Sequence, residues 1–192
     1  MEDFSFLQNF SPLVAPLLLG CELERRINGE LLRVRIVEVE AYDQADMASH
    51  SYRGRTPRNE VMFGPAGHLY VYFTYGMHYC MNVVTGSDGH GAGLLIRAIE
   101  PLIGIETIRD NRNHKPDREL TNGPGKVTQA LGVNREMAGH DLRRAPLKLI
   151  VRSPLPRDQI VQTTRVGISR AKDAAWRFFI KDNKWVSKPN KI

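Results

Sequence analysis

The apolar and polar positions of this 192-residue chain fall into a β-rich early part and a mixed later part. Ser11-Pro12 ahead of an apolar run predicts a short helix, capped by Ser11 and stopped near Gly20. Residues 21–27 and 31–41 read as two strands. Asn28-Gly29 between them is a strong hairpin signal, because both residues tolerate the positive φ of a two-residue turn. Strict alternation in the second strand puts Val37, Val39 and Ala41 on one face and Ile36, Glu38 and Glu40 on the other. Residues 42–63 have little period and read as a long loop, a feature that is usually functional or disordered. The aromatic and β-branched content of 68–75 predicts a strand. Two more follow at 78–84 and 93–99, so the first half reads as an antiparallel meander. Leu102, Ile105 and Ile108 have helical spacing over 102–112. A short helix is expected at 126–131, and short strands at 147–151 and 177–180. The prediction is one α/β domain of the α+β type over residues 1–192, with a curved, largely antiparallel sheet flanked by short helices.

Charge adds a partner class. Lys plus Arg number 27 against 21 Asp plus Glu, a net of +6. Residues 1–96 hold 7 basic and 11 acidic residues, while 97–192 hold 20 and 10. A basic half is what a polyanion such as nucleic acid, or an anionic membrane surface, selects. The longest apolar run, 13–19, contains Pro16 and is too short to span a bilayer. The acidic Glu2-Asp3 start lacks the basic opening of a signal peptide. A cytoplasmic, nucleoid-associated protein is expected in a bacterium, a nuclear one in a eukaryote. Cys21 and Cys80 are far apart in no metal-binding pattern, and reduced, core-packed thiols are expected.

Four groups of residues are candidates for chemistry. Glu38 and Glu40 share a strand face at the edge of the long loop, where either carboxylate is a possible general base. Tyr42, Asp46 and His50 follow closely and could line a pocket. A metal site built from Glu38, Glu40, Asp46 and His50 is the competing reading, but no HxxxH, HxH or HxE spacing supports it. Tyr70 and Tyr72 share one strand face, Phe73 and Tyr75 the other. One set belongs to the core, and the other is placed to stack on bases or wedge into a duplex. Arg97, Lys126 and Arg165 lie near turns and helix starts, and 122–126 (Asn-Gly-Pro-Gly-Lys) could offer N–H groups and a lysine to phosphate, without Walker spacing.

Taken together, these segments resemble the alkyladenine (3-methyladenine, or methylpurine) DNA glycosylase family. The matching stretches are RIVEVEAY (35–42), DMASH (46–50), TPRN (56–59) with MFG (62–64), and LYVYFTYGMHYCMN (69–82). LLIRAIEPL (94–102), NGPGKVTQAL (122–131) and RVGI (165–168) continue in the family's order. The resemblance implies a monofunctional hydrolase that removes alkylated or deaminated purines from double-stranded DNA, acting as a monomer without cofactor or metal. Glu40 would activate the attacking water, which Arg97 and the backbone carbonyl of Val166 would help to hold. Tyr42, His50 and Tyr72 would sandwich the flipped base, and Asn82 would bias the pocket floor against guanine. Tyr75 would fill the gap left in the duplex, and Lys126 would hold phosphate. A non-catalytic nucleic-acid-binding domain of similar fold is the alternative.

Overall fold

The computed structural model describes residues 3–74 and 76–187. All eight strands found among the described residues belong to one antiparallel sheet: β1 (Glu22–Ile27), β2 (Glu30–Tyr42), β3 (Leu69–Thr74), β4 (His78–Val84), β5 (Gly93–Ile103), β6 (Leu147–Ile150), β7 (Ile160–Thr163) and β8 (Arg177–Ile180). The order is β3-β4-β5-β2-β1-β6, with the β7–β8 ribbon joined through β8 to β2. Three short helices, α1 (Ser11–Leu18), α2 (Ile105–Asn111) and α3 (Pro124–Ala130), complete an α+β fold with a curved sheet.

The β1–β2 turn is as read from sequence, with φ of 50° at Asn28 and 84° at Gly29. The meander is corrected. β3, β4 and β5 follow one another, but β2 pairs with β5, so the β1–β2 hairpin is inserted beside the last strand of the meander. The β5 strand also runs through Ile103, displacing the start of the expected 102–112 helix to Ile105. Propensity at Leu102 and Ile103 yields there to the β2 ladder, which reaches Arg33 opposite Ile103. β7 is not among the expected strands, although three of its four residues, Ile160, Val161 and Thr163, are β-branched. Ser11 does not cap α1. Its hydroxyl turns inward, donating to the Tyr42 carbonyl at 3.1 Å and bonding Thr85 Oγ1 at 2.7 Å.

β2 is the spine. It carries β1 at its start, β5 along its length and β8 at Glu38–Glu40. Its register against β5 slips three times, once between Arg33 and Val34 and then twice in opposite senses around Glu38. Ile36 faces Ile99 and Glu38 faces Ala98, leaving Val37 extra on β2. Val39 then faces Ile96, leaving Arg97 extra on β5. Such bulges bend a strand and re-aim side chains. Strict alternation therefore fails at this point, and Ile36 and Val37 both enter the core. That core packs α1 (Val14, Ala15, Leu18) and α3 (Val127, Ala130) against sheet residues including Val34, Val39 and Ile96, with Trp185 and Phe178 joining from the chain's end.

The expected 42–63 loop is shorter at both ends, since Tyr42 closes β2 and Glu60–Phe63 form a 3-10 turn, and the irregular segment between them is pinned. Asp43 meets His90 Nε2 at 2.8 Å, and Gln44 Oε1 accepts from Gly91 N. The Ser51 hydroxyl donates to the Gly91 carbonyl at 2.6 Å. Asn59 donates to the carbonyls of His50 (2.8 Å) and Gly54 (3.0 Å) and accepts from Thr56 N–H. Backbone groups that a loop would leave open thus find partners. The contact at Gly91 leaves no room for a side chain, since an added Cβ would lie 2.6 Å from Ser51 Cβ and 2.7 Å from Phe63 Cζ. Gly91→Ala is expected to lower unfolding free energy by roughly 1–3 kcal/mol in urea titrations, and wild-type stability would contradict this packing.

Candidate functional site

Glu38 and Glu40 are both fully buried, and Glu40 lines a cavity that Glu38 does not. That cavity has a volume of about 600 Å³ and lies on the β2–β5–β4–β3 part of the sheet, in the range of small-molecule sites. Its walls include Tyr42, His50, Tyr72 and Asn82, with Arg97 and Val166 beside Glu40. The sheet thus brings together residues from four strands and two loops that lie up to 126 positions apart.

The Glu40 carboxylate is held at both oxygens. Oε1 accepts the Val166 N–H at 2.7 Å and lies 3.3 Å from Arg97 Nη1. Oε2 accepts the Tyr42 hydroxyl at 2.9 Å. Val166 therefore meets Glu40 through its amide N–H. Burial first, and then the charge of Glu40, raise the Tyr42 pKa far above the ordinary phenol value, so it stays protonated and donating. Burial alone would weaken the Arg97 charge, but Glu40 and Glu38 outweigh it and raise its pKa. A buried carboxylate with two donors and a guanidinium at hand is oriented without being sealed off, because it still lines the cavity.

Glu38 occupies a different environment. It accepts from Arg97 Nε (3.0 Å), Arg177 Nε (2.7 Å), Ser187 N–H (2.7 Å) and Ser187 Oγ (2.8 Å). Strand alternation makes the two glutamates equivalent, and the structure separates them. Asp46, the other acidic candidate, forms a buried bidentate pair with Arg165. The same guanidinium donates to the Ala41 carbonyl at 2.9 Å and lies 4.7 Å from the Tyr42 ring centroid. Among the described residues, no group of three or more His, Cys, Asp or Glu is arranged to hold a metal ion. The carboxylates of the metal reading carry arginine partners instead.

The aromatic wall comes from the 42–63 segment and β3. His50 meets Tyr72 edge-on, with ring centroids 4.5 Å apart, and its Nδ1 is hydrogen-bonded to Tyr70 OH at 3.1 Å. Tyr70 and Tyr72 stack with centroids 5.5 Å apart. Burial raises Tyr72 far above an ordinary phenol, and brings Tyr70 up to about 12. Loss of water around the His50 ring, and then the nearby Arg58 charge, lower its pKa. Asn82 lies on β4, 4% exposed, and its Nδ2 has no hydrogen-bond partner among the described residues. An orphaned donor in a cavity wall is costly unless a ligand meets it.

Three candidates fall elsewhere. Lys126 is on α3, outside the cavity lining, where its ammonium donates to Asn122 Oδ1 at 2.8 Å. Arg165 is committed to Asp46 and Ala41, so it is a brace under Tyr42 and not an anion contact. Tyr75 lies outside the described residues. Sequence reading missed Asn59, Arg177 and Ser187. Asn59 was visible in the matching TPRN stretch, but short-range pattern gives no sign of contacts across 139 or 149 positions.

Known proteins match this chain along nearly its whole length. Residues 5–184 fit the family model described as methylpurine-DNA glycosylase. A protein of Carboxydothermus hydrogenoformans is 54% identical over 177 residues, covering 92% of this chain and 93% of its own. A second, from Methanoculleus marisnigri, is 49% identical over 189 residues, covering 96% and 97%. A third, from Nitrosospira multiformis, is 47% identical over 176 residues, covering 92% and 88%. Each is provisionally named a 3-methyladenine DNA glycosylase.

The lowered pKa of His50 fixes a sign. A histidine whose folded pKa is depressed is neutral at pH 7, and its protonation at acid pH opposes the folded pocket. Its ring, followed by NMR, is expected to titrate with a midpoint below the ordinary value of about 6.5. A midpoint at or above that value would contradict the desolvated ring.

Proposed function

The chain belongs to the methylpurine-DNA glycosylase family, and on that footing we propose that it flips an alkylated or deaminated purine out of double-stranded DNA and hydrolyses the N-glycosidic bond with water activated by Glu40. The observation that carries this reading is one oriented carboxylate at the wall of an aromatic cavity, with Arg97 at 3.3 Å.

Each part of the site suits the chemistry. Alkylation at N3 or N7 makes a purine cationic and a better leaving group. Tyr42 and Tyr72 offer electron-rich faces to such a base, worth roughly 0.5–2 kcal/mol each. His50, neutral at pH 7, adds no charge to repel it. As the bond breaks, the sugar gains oxocarbenium character. Glu40 then acts as base for water and as counter-charge to the developing cation. The proton leaves water for Glu40, and the bond electrons leave with the purine. Arg97 and the Val166 N–H hold the carboxylate in place for that transfer.

Discrimination is assigned to Asn82. Its unpartnered Nδ2 can donate to an acceptor on an accepted base, whereas the exocyclic amino group of guanine would set donor against donor. The candidate lesions are 3-methyladenine, hypoxanthine and ethenoadenine, and also 7-methylguanine, which keeps that amino group but is cationic and so a better leaving group than guanine.

The surroundings suit a duplex. Phe73 and Met77, two positions either side of residue 75 in the sequence, are 47% and 69% exposed, in keeping with an apolar wedge. Exposed Arg53 and Arg170 stand on the cavity lining and suit the flanking phosphates. The protein acts as a monomer in this reading.

Glu40→Gln is expected to slow single-turnover base release by about 10²–10⁴-fold, while affinity for the same duplex persists. Lesion-bearing oligonucleotides, cleaved by alkali after the reaction, measure the first quantity, and a binding titration measures the second. A folded Glu40→Gln variant that releases base at the wild-type rate would contradict the assignment.

A further inference from the structure

The reading of Glu40 as the water-activating base leaves Glu38 without a part in the chemistry, yet Glu38 is the more elaborately held of the two. Its buried carboxylate lies outside the cavity lining and receives four hydrogen bonds from three separate parts of the chain. We propose that Glu38 is a positioning residue, which fixes Arg97 in the pose that meets Glu40, and that Ser187 from the end of the described chain completes the fixture. The proposal rests on the role of Glu40 given above.

The geometry is a shared guanidinium. Arg97 is the extra residue of the β5 bulge, so the ladder does not dictate its direction in the usual way. Its side chain is set by three contacts: Nε to Glu38 at 3.0 Å, Nη2 to Ser187 Oγ at 3.3 Å, and Nη1 to Glu40 at 3.3 Å. Glu38 and Ser187 hold one side of the fork, which leaves Nη1 aimed at Glu40. Ser187 is itself fixed, because Arg177 Nη2 donates to its carbonyl at 2.8 Å and its own N–H and hydroxyl go to Glu38. Trp185, two residues earlier and 5% exposed, anchors this return in the core.

Charge gives the arrangement a second consequence. Arg97 from β5, Arg177 from β8 and the Ser187 donors face Glu38. Arg97, the Val166 N–H and Tyr42 face Glu40, with Tyr72 near enough to interact electrostatically. Arg97 thus meets both carboxylates, whereas Arg177 meets Glu38. If Glu38 loses its charge, its repulsion of the neighbouring Glu40 carboxylate is lifted, which favours the ionised form of Glu40 and makes it a weaker base for water.

The test is single-turnover release of hypoxanthine from a duplex across pH, for wild type, Glu38→Gln and Ser187→Ala, beside binding to a duplex with an uncleavable tetrahydrofuran abasic site. The Glu38→Gln rate is expected to fall on the order of 10²-fold, with abasic-site affinity within about threefold of wild type. The acid limb of its profile should move to lower pH. Ser187→Ala, which keeps the backbone N–H bond to Glu38, should move both quantities the same way by less. If Glu38→Gln does not fold, Ser187→Ala carries the test. Variants with the wild-type rate and limb would overturn the proposal. So would a loss of rate matched by an equal loss of abasic-site binding with the limb unmoved, which marks a merely structural residue. Wild type that releases no purine from any lesion would instead overturn the assignment of Glu40, and the positioning role with it.

Discussion

The structure turns on two glutamates buried side by side on one strand. Stripping water from a carboxylate costs several kcal/mol unless a counter-charge and hydrogen bonds replace it. β2 meets that demand by collecting arginines from both flanks, Arg97 from β5 and Arg177 from β8, and by drawing Ser187 back against Glu38. Opposed bulges at Val37 and Arg97 let the strand pack Ile36 and Val37 into the core and still turn both carboxylates to their partners. The place of β8 and the path of the chain's end follow from the same requirement.

A division of labour follows. Glu38 is saturated by its donors and has no contact with the cavity. Glu40 has fewer donors and lines the cavity. The aromatic side of the pocket is built by a similar economy of bracing. Asp46 neutralises Arg165, which lies against the Tyr42 ring, and Asn59 holds the backbone at His50. A long loop without regular structure can therefore carry site residues, because its polar groups are tied to the scaffold at many points. On the proposed reading that rigidity matters, since the sugar carbon of the extruded nucleotide would have to meet water at Glu40 within a fraction of an ångström.

Much of this was readable in the chain. Asn28-Gly29 specifies its own turn, because positive φ at two successive residues is a local requirement. The strands at 69–74 and 78–84 were plain from aromatic and β-branched content. The cluster Glu40, Tyr42, His50, Tyr72, Asn82, Arg97 and Val166 came from the order of the matching stretches, and the structure brings all seven to one cavity. What stayed hidden was non-local. A bulge has no signature in the stretch Ile36-Val37-Glu38-Val39, so alternation misplaced Ile36. Ser11 has the look of a cap, but the buried hydroxyl of Thr85 competes for it. Leu102 and Ile103, at the end of β5, follow the β2 ladder and not their own helical spacing. Arg177 and Ser187 could not be linked to Glu38 without knowing that β8 pairs with β2.

The central claim is that water, held by Glu40, and no amine of the protein attacks the sugar. Incubating the protein with a hypoxanthine-bearing duplex in the presence of borohydride tests it most directly. Borohydride freezes any imine between a lysine and the sugar as a stable protein–DNA adduct. The account predicts release of free hypoxanthine, a strand that stays whole until alkali is added, and no adduct. A trapped adduct, formed through Lys126 or any other amine, would contradict it.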